Sequence, residues 1–137
     1  MRCQDVMTNP VWCLPEDSVA KVARLMRHEH TVSIPVVTDE LARELVGVVS
    51  DRDLALKVLG ESRDPERTTA YEVMTRVVVA CRKDDDVTAA ESAMLEHEIR
   101  RVPVIDQRGR LVGVISERDV TVPVPPAMRV VPSLRAA

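Results

Sequence analysis

A chain of 137 residues, 45% hydrophobic and 30% charged, is long enough for one compact domain or two small halves that share a core. A net charge of −3 and an aromatic complement limited to Trp12 and Tyr71 argue against a nucleic-acid partner, which needs phosphate neutralisation or base stacking. No apolar run approaches the ~20 residues of a membrane span, the N-terminus has no signal-peptide core, and three unclustered cysteines form neither a disulfide framework nor a zinc site; a reducing, cytoplasmic setting with no membrane partner is expected.

In chain order, the apolar segment 11–14, closed by Pro15, predicts a short strand. Asp17 or Ser18 can cap a helix whose apolar positions Val19, Val22, Ala23 and Met26 follow helical spacing, with Lys21, Arg24 and Glu29 on the other face. Residues 34–38 are a β-branched run, and 39–44 a polar turn. Residues 45–49 are apolar, valine-rich and too short for a helix, which predicts a strand buried on both faces. Ser50 then starts a second helix, with Leu54 and Val58 on one side, that ends near Gly60. Residues 61–69, polar and containing a proline, read as a linker.

Beyond the linker the chain repeats itself. Val6-Met7-Thr8 returns as Val73-Met74-Thr75, Ile34-Pro35-Val36-Val37 as Val102-Pro103-Val104-Ile105, and the block from Leu45 to Leu54 as the block from Leu111 to Val120. The offsets are 67 (7 to 74), 68 (34 to 102) and 66 (45 to 111), so the blocks keep order and spacing. The second copy predicts a strand over 77–81, a helix with Val87, Ala90 and Met94 facing inward, and strands over 102–105 and 111–115. A helix starting at Ser116 is cut short by the prolines that follow Val122. The expected organisation is a first repeat over 1–65, a second over 66–122 and a proline-rich tail over 123–137.

Ser50-Asp51-Arg52-Asp53 and Ser116-Glu117-Arg118-Asp119 each stand where a buried strand turns into a helix. Serine with an acid three residues on is a capping-box pattern that satisfies helix-end amides and needs no ligand. The same geometry suits a nucleotide: free N–H groups face an anion, and a nearby carboxylate accepts from a ribose diol.

These blocks in this order resemble the cystathionine-β-synthase (CBS) domain, and their tandem over about residues 5–120 resembles a stand-alone CBS pair, or Bateman module. The resemblance implies an α/β (α+β) fold of two β-α-β-β-α repeats packed about a pseudo-twofold axis, with the second repeat's final helix truncated. It implies a regulatory module, not an enzyme, with clefts for an adenosine-containing ligand: AMP, ADP, ATP, S-adenosylmethionine or a dinucleotide. Asp53 and Asp119 match the family's ribose-binding aspartate, and Ser50 and Ser116 the residue that binds ribose or phosphate. The base is expected against Met7, Thr8, Ile34 and Pro35 in one cleft and Met74, Thr75, Val102 and Pro103 in the other. Basic residues before the Pro-Val strand contact phosphate in this family; the second copy has Arg100-Arg101 there, the first Val32-Ser33. The clefts are therefore expected to be unequal, the second better for a phosphorylated ligand.

Other polar groups read as structural. Residues 83–86 (Lys-Asp-Asp-Asp) precede a helix, where acids complement its dipole, and His28, His30 and His97 fall on polar helix ends. No nucleophile–base–acid set and no Gly-rich phosphate loop is visible. Cys13 and Cys81 hold equivalent positions; a bridge between them is conceivable, and small apolar strand residues is the better-supported reading. The alternative function is a structural or protein-interaction module that has the fold and binds no ligand. Apolar residues beyond the core stripe, Leu25, Leu56, Leu59 and Leu95, point to a homodimer; the regulated partner is not legible.

Overall fold

The computed structural model describes residues 1–120. The chain runs α1 (Cys3–Val6), α2 (Val19–Glu29), β1 (Ser33–Val37), β2 (Leu45–Ser50), α3 (Asp51–Leu54), a π-helical turn (Ala55–Leu59), α4 (Ala70–Val73), β3 (Cys81–Arg82), α5 (Val87–His97), β4 (Arg101–Ile105) and β5 (Leu111–Ser116). It is a mixed α+β fold with two small sheets. β1 and β2 form an antiparallel pair in which Ile34 faces Val49 and Pro35 faces Val48. β4 and β5 repeat that pair with Val102 facing Ile115, and β3 joins β4 in parallel.

The two long helices start and stop as their sequences dictate. Ser18 Oγ accepts from Lys21 N–H at the start of α2, and Asp86 accepts from Thr88 N–H at the start of α5. Both end on a residue in the left-handed region, His30 and Glu98. Asp17 does not cap α2; its carboxylate accepts from Leu14 N–H and Lys21 Nζ.

Three elements differ from expectation. The first strand of each copy is shorter than predicted. Only Cys13 bridges Val36 in the first, and only Cys81 and Arg82 pair in the second. Pro10 and Pro15 bracket the first segment, which leaves little backbone free to extend a ladder. After α3 the helix widens, with Gly60 N–H reaching Ala55 O at 2.8 Å and Arg63 N–H reaching Val58 O at 2.9 Å. The left-handed residue that ends this segment is Ser62, while Gly60 stays right-handed. Third, residues 117–120 form a turn and bend. The rest of the expected short helix and the 123–137 tail lie outside the described residues.

The one-turn helices α1 and α4, absent from the sequence reading, explain how the copies join. Each is a capping box: Arg2 N–H donates to Asp5 (2.8 Å), and Thr69 N–H donates to Glu72 (2.7 Å). Each leads into a Val-Met-Thr segment that crosses to the other copy. Thr8 pairs with Val114 of β5, and Thr75 pairs with Val48 of β2. The cores are exchanged accordingly. Ala70, Val73 and Met74 pack with Cys13, Val19, Val22, Ile34 and Val49. Cys3 packs with Cys81, Ala90, Met94, Val102 and Ile115, with Val6 and Met7 alongside. Each buried valine or isoleucine contributes about 1.5–3 kcal/mol, and here part of each core comes from the other copy's leading segment.

Gly47 and Gly113 make the crossing possible. A Cβ on Gly47 would sit 2.6 Å from Met74 Sδ and 3.1 Å from Thr75 O, and one on Gly113 would collide with the side chain of Met7. The hairpin loops form a third junction: Leu45 N–H donates to Gly109 O at 3.0 Å and Leu111 N–H to Arg43 O at 2.8 Å.

Candidate functional site

The strand-to-helix turns after β2 and β5 open onto one groove of about 590 Å³ between the copies. Of the residues expected at a site, Pro35, Ser50, Arg100, Arg101, Pro103 and Ser116 line it. Thr8 and Ile34 line a separate cavity of about 150 Å³, which Pro35 and Arg101 also reach. Asp53, Thr75, Val102 and Asp119 line neither. Val102 is fully buried in the second core, on the inward face of β4. Met7 lies on Gly113 and Met74 on Gly47, so each belongs to the opposite copy's sheet.

The two turns share a local frame. Ser50 N–H and Oγ–H both donate to Asp53 Oδ2, at 2.9 and 3.0 Å. Ser116 N–H and Oγ–H donate to Asp119 Oδ2, at 2.8 and 3.0 Å. Each aspartate thus fixes the backbone of its own turn, as a capping box does. Beyond that the turns diverge. Asp53 is 5% exposed and also accepts from Thr75 Oγ1 (3.0 Å) and Lys57 Nζ (2.8 Å). Burial alone would raise its carboxyl pKa, but the bonds from Lys57, Ser50 and Thr75 outweigh it and hold the value below the ordinary carboxylate range. Among the described residues Asp119 accepts side-chain bonds only from Ser116, and Thr8 Oγ1 turns to Val114 O at 3.4 Å instead.

The groove wall contains residues that sequence reasoning passed over. Arg52 and Arg118 hold equivalent places in the two turns and face the same space, beside Arg100 and Arg101. Their signal was present as the arginine repeated in both Ser-x-Arg-Asp blocks. Arg52, Arg101 and Arg118 form no ion pair among the described residues, while Arg100 lies 4.0 Å from Glu117. Asp51, Glu98 and Glu117 temper this basic wall. Val77, Val78 and Val79 supply an apolar side, and Val77 is 87% exposed. An apolar ledge facing guanidinium groups suits a flat heterocycle joined to an anion.

The remaining polar candidates are structural here. Asp85 accepts from Arg82 N–H and Asp86 caps α5. His28 and His97 are exposed, and His30 lies at the groove's edge. All three cysteines are free and buried. Cys13 belongs to the first core and Cys81 to the second, beside Cys3, so the equivalent pair is not brought together. Burial pushes the Cys13 thiol up to about 12 and the Cys81 thiol up to about 11.

The CBS domain model matches residues 3–60 and 70–122. The CBS domain-containing protein YhcV of Bacillus subtilis is 33% identical over 120 residues, which cover 87% of this chain and 82% of that one. A Methanopyrus kandleri protein is 30% identical over 117 residues, and the chain spans 57% of its length. Among solved structures, a CBS domain protein from Pyrobaculum aerophilum complexed with AMP superposes with a TM-score of 0.75 at 25% identity, over 88% of this chain and 91% of that one.

Proposed function

Because the chain belongs to the CBS domain family, we propose that it is a regulatory module that binds a phosphorylated adenosine ligand in the groove between its two copies. The observation that carries this reading is the make-up of the groove. A cavity of about 590 Å³ is of nucleotide size, and its second-copy side joins valines 77–79 and Pro103 to Arg100, Arg101 and Arg118. In this reading the base lies against the valines and Pro103, and the phosphate meets Arg100 and Arg101. The ribose reaches the Ser116 turn on the groove wall and, beyond that lining, the carboxylate bonded to it, Asp119. The AMP held by the Pyrobaculum protein supports an adenosine nucleotide as the ligand class. No catalytic step is assigned to these residues; binding acts by shifting the assembly or a partner protein in the cytoplasm.

The assembly in this reading is a homodimer. Leu56, Leu59 and Leu95 are 53%, 77% and 48% exposed on helical surfaces, whereas Leu25 packs against the first core. Light scattering on the parent and on Leu59→Glu tests it: a dimer that the glutamate dissociates is expected, and a monomeric parent at micromolar concentration refutes it.

The ligand test is a thermal-shift panel of adenosine, AMP, ATP and S-adenosylmethionine. A ligand at one hundred times its dissociation constant stabilises by about 2.7 kcal/mol. The nucleotide effect should weaken with salt and the adenosine effect hardly change. No shift with any of them would favour a structural or protein-interaction module instead.

A further inference from the structure

The two Ser-x-Arg-Asp turns share a motif and its serine–aspartate bonds, but their aspartates meet different surroundings. Asp53 accepts from Thr75, which lies 22 residues on and opens the second copy, and from Lys57 on its own helical turn. Lys57 Nζ also donates to Val73 O at 2.9 Å, satisfying the last carbonyl of α4. One carboxylate and one ammonium of the first copy therefore grip residues 73 and 75 of the second. Both carboxylate oxygens of Asp53 already have donors, Thr75 and Lys57 on Oδ1 and Ser50 on Oδ2, and the carboxylate is buried. In the second copy the position equivalent to Lys57 is Pro123, which has no ammonium to offer. Thr8, equivalent to Thr75, donates to a backbone carbonyl instead.

From these contacts we infer that Asp53, Lys57 and Thr75 form an inter-repeat latch, and that Asp53 is thereby a positioning residue withdrawn from ligand binding. The latch holds the crossing Val-Met-Thr segment on β2. If the nucleotide reading above holds, its consequence is one ligand per chain, on the second copy's side, with Lys57 the residue that makes the copies unequal.

Two measurements on the full chain test this. The first needs no ligand: urea unfolding of the parent, Asp53→Asn, Thr75→Val and their double variant. The latch predicts that each single change lowers the midpoint and that the double variant falls clearly less than the sum. Additive effects, or an Asp53→Asn variant as stable as the parent, overturn it. Lys57→Met, at a partly exposed side chain, keeps the test open if a variant fails to fold; it too should lower the midpoint, and a neutral result counts against the latch. The second is calorimetric titration with AMP. One site per chain in both the parent and Asp53→Asn is expected; two sites, one of them lost in Asp53→Asn, overturn the inference. Absence of AMP binding would strike the nucleotide reading and leave the unfolding cycle to decide the latch.

Discussion

The turns at Ser50 and Ser116 carry nearly the same four residues and the same serine–aspartate bonds, yet only the first opens a helix among the described residues, and their carboxylates meet different surroundings. In both, the aspartate accepts from the serine's N–H and hydroxyl; only in the first does the serine oxygen also accept from the aspartate's N–H. What separates them lies outside the motif: a lysine four residues on in one copy and a proline in the other, and a threonine hydroxyl that reaches the carboxylate only once. The motif specifies a turn; its neighbours decide whether the carboxylate also takes up a threonine hydroxyl and an ammonium. Duplication gave two equal frames, and substitution at a few contacts made them unequal.

The largest expected effect is on stability. Asp53→Ala strips Thr75 and Lys57 of their acceptor inside a buried junction and should cost about 2–3 kcal/mol, below a fully buried pair because Lys57 is partly exposed. Among the described residues Asp119→Ala removes only the acceptor of the Ser116 N–H and hydroxyl, and should cost about 0.5–1 kcal/mol. Urea unfolding compares them directly, and equal losses would erase the distinction between the turns.

Where the copies are built alike, they should break alike. Gly47→Ala and Gly113→Ala each drive a Cβ into the crossing methionine. Both should lose about 1–3 kcal/mol through overpacking, the first somewhat eased by the flexible end of Met74. A change tolerated at one glycine alone would mean that only one crossing is tightly seated.

Acid should sharpen the contrast. The Asp53 carboxyl is held below its ordinary value, so its contribution is fully present above the unfolded-state pKa and is lost as pH falls through the folded one. The stability gap between the parent and Asp53→Asn should stay constant from about pH 7 to 5 and close below about pH 4. A gap that widens in acid would mean that the carboxyl is protonated in the folded protein.

The smallest effect compares the two cores. Native thiols should resist a disulfide reagent at about pH 8, Cys13 more than Cys81, because both are buried and held protonated. All three should react once the chain is unfolded in urea. Rapid native reaction of Cys13 would show that the first core opens more readily than the second.

Much of this was legible in the sequence. The repeat announced two equivalent units, helical spacing located α2 and α5, and the valine runs located β1, β2, β4 and β5. The exchange of Val-Met-Thr segments was not legible, because it rests on one-turn helices with no periodicity and on a glycine whose need appears only when a methionine lies over it. Ser50, Ser116, Arg100, Arg101 and the two prolines line one groove, whereas the resemblance implied two separate clefts, one for each copy. Asp53 was read like Asp119 because the motif is the same; Lys57 and Thr75, one turn and 22 residues away, carry the difference and have no signature of their own. Arg52 and Arg118 were visible twice, but only the fold turns them to a common space.

In the proposed arrangement the second copy's turn, and not the first's, holds the ligand. Isothermal titration of AMP into Asp119→Ala and Asp53→Asn tests it most directly. Asp119→Ala should weaken binding by about 1.5–3 kcal/mol, the range for a hydrogen bond to a charged group, while Asp53→Asn should bind AMP as the parent does. Unchanged affinity in Asp119→Ala, with binding lost in Asp53→Asn, would contradict it.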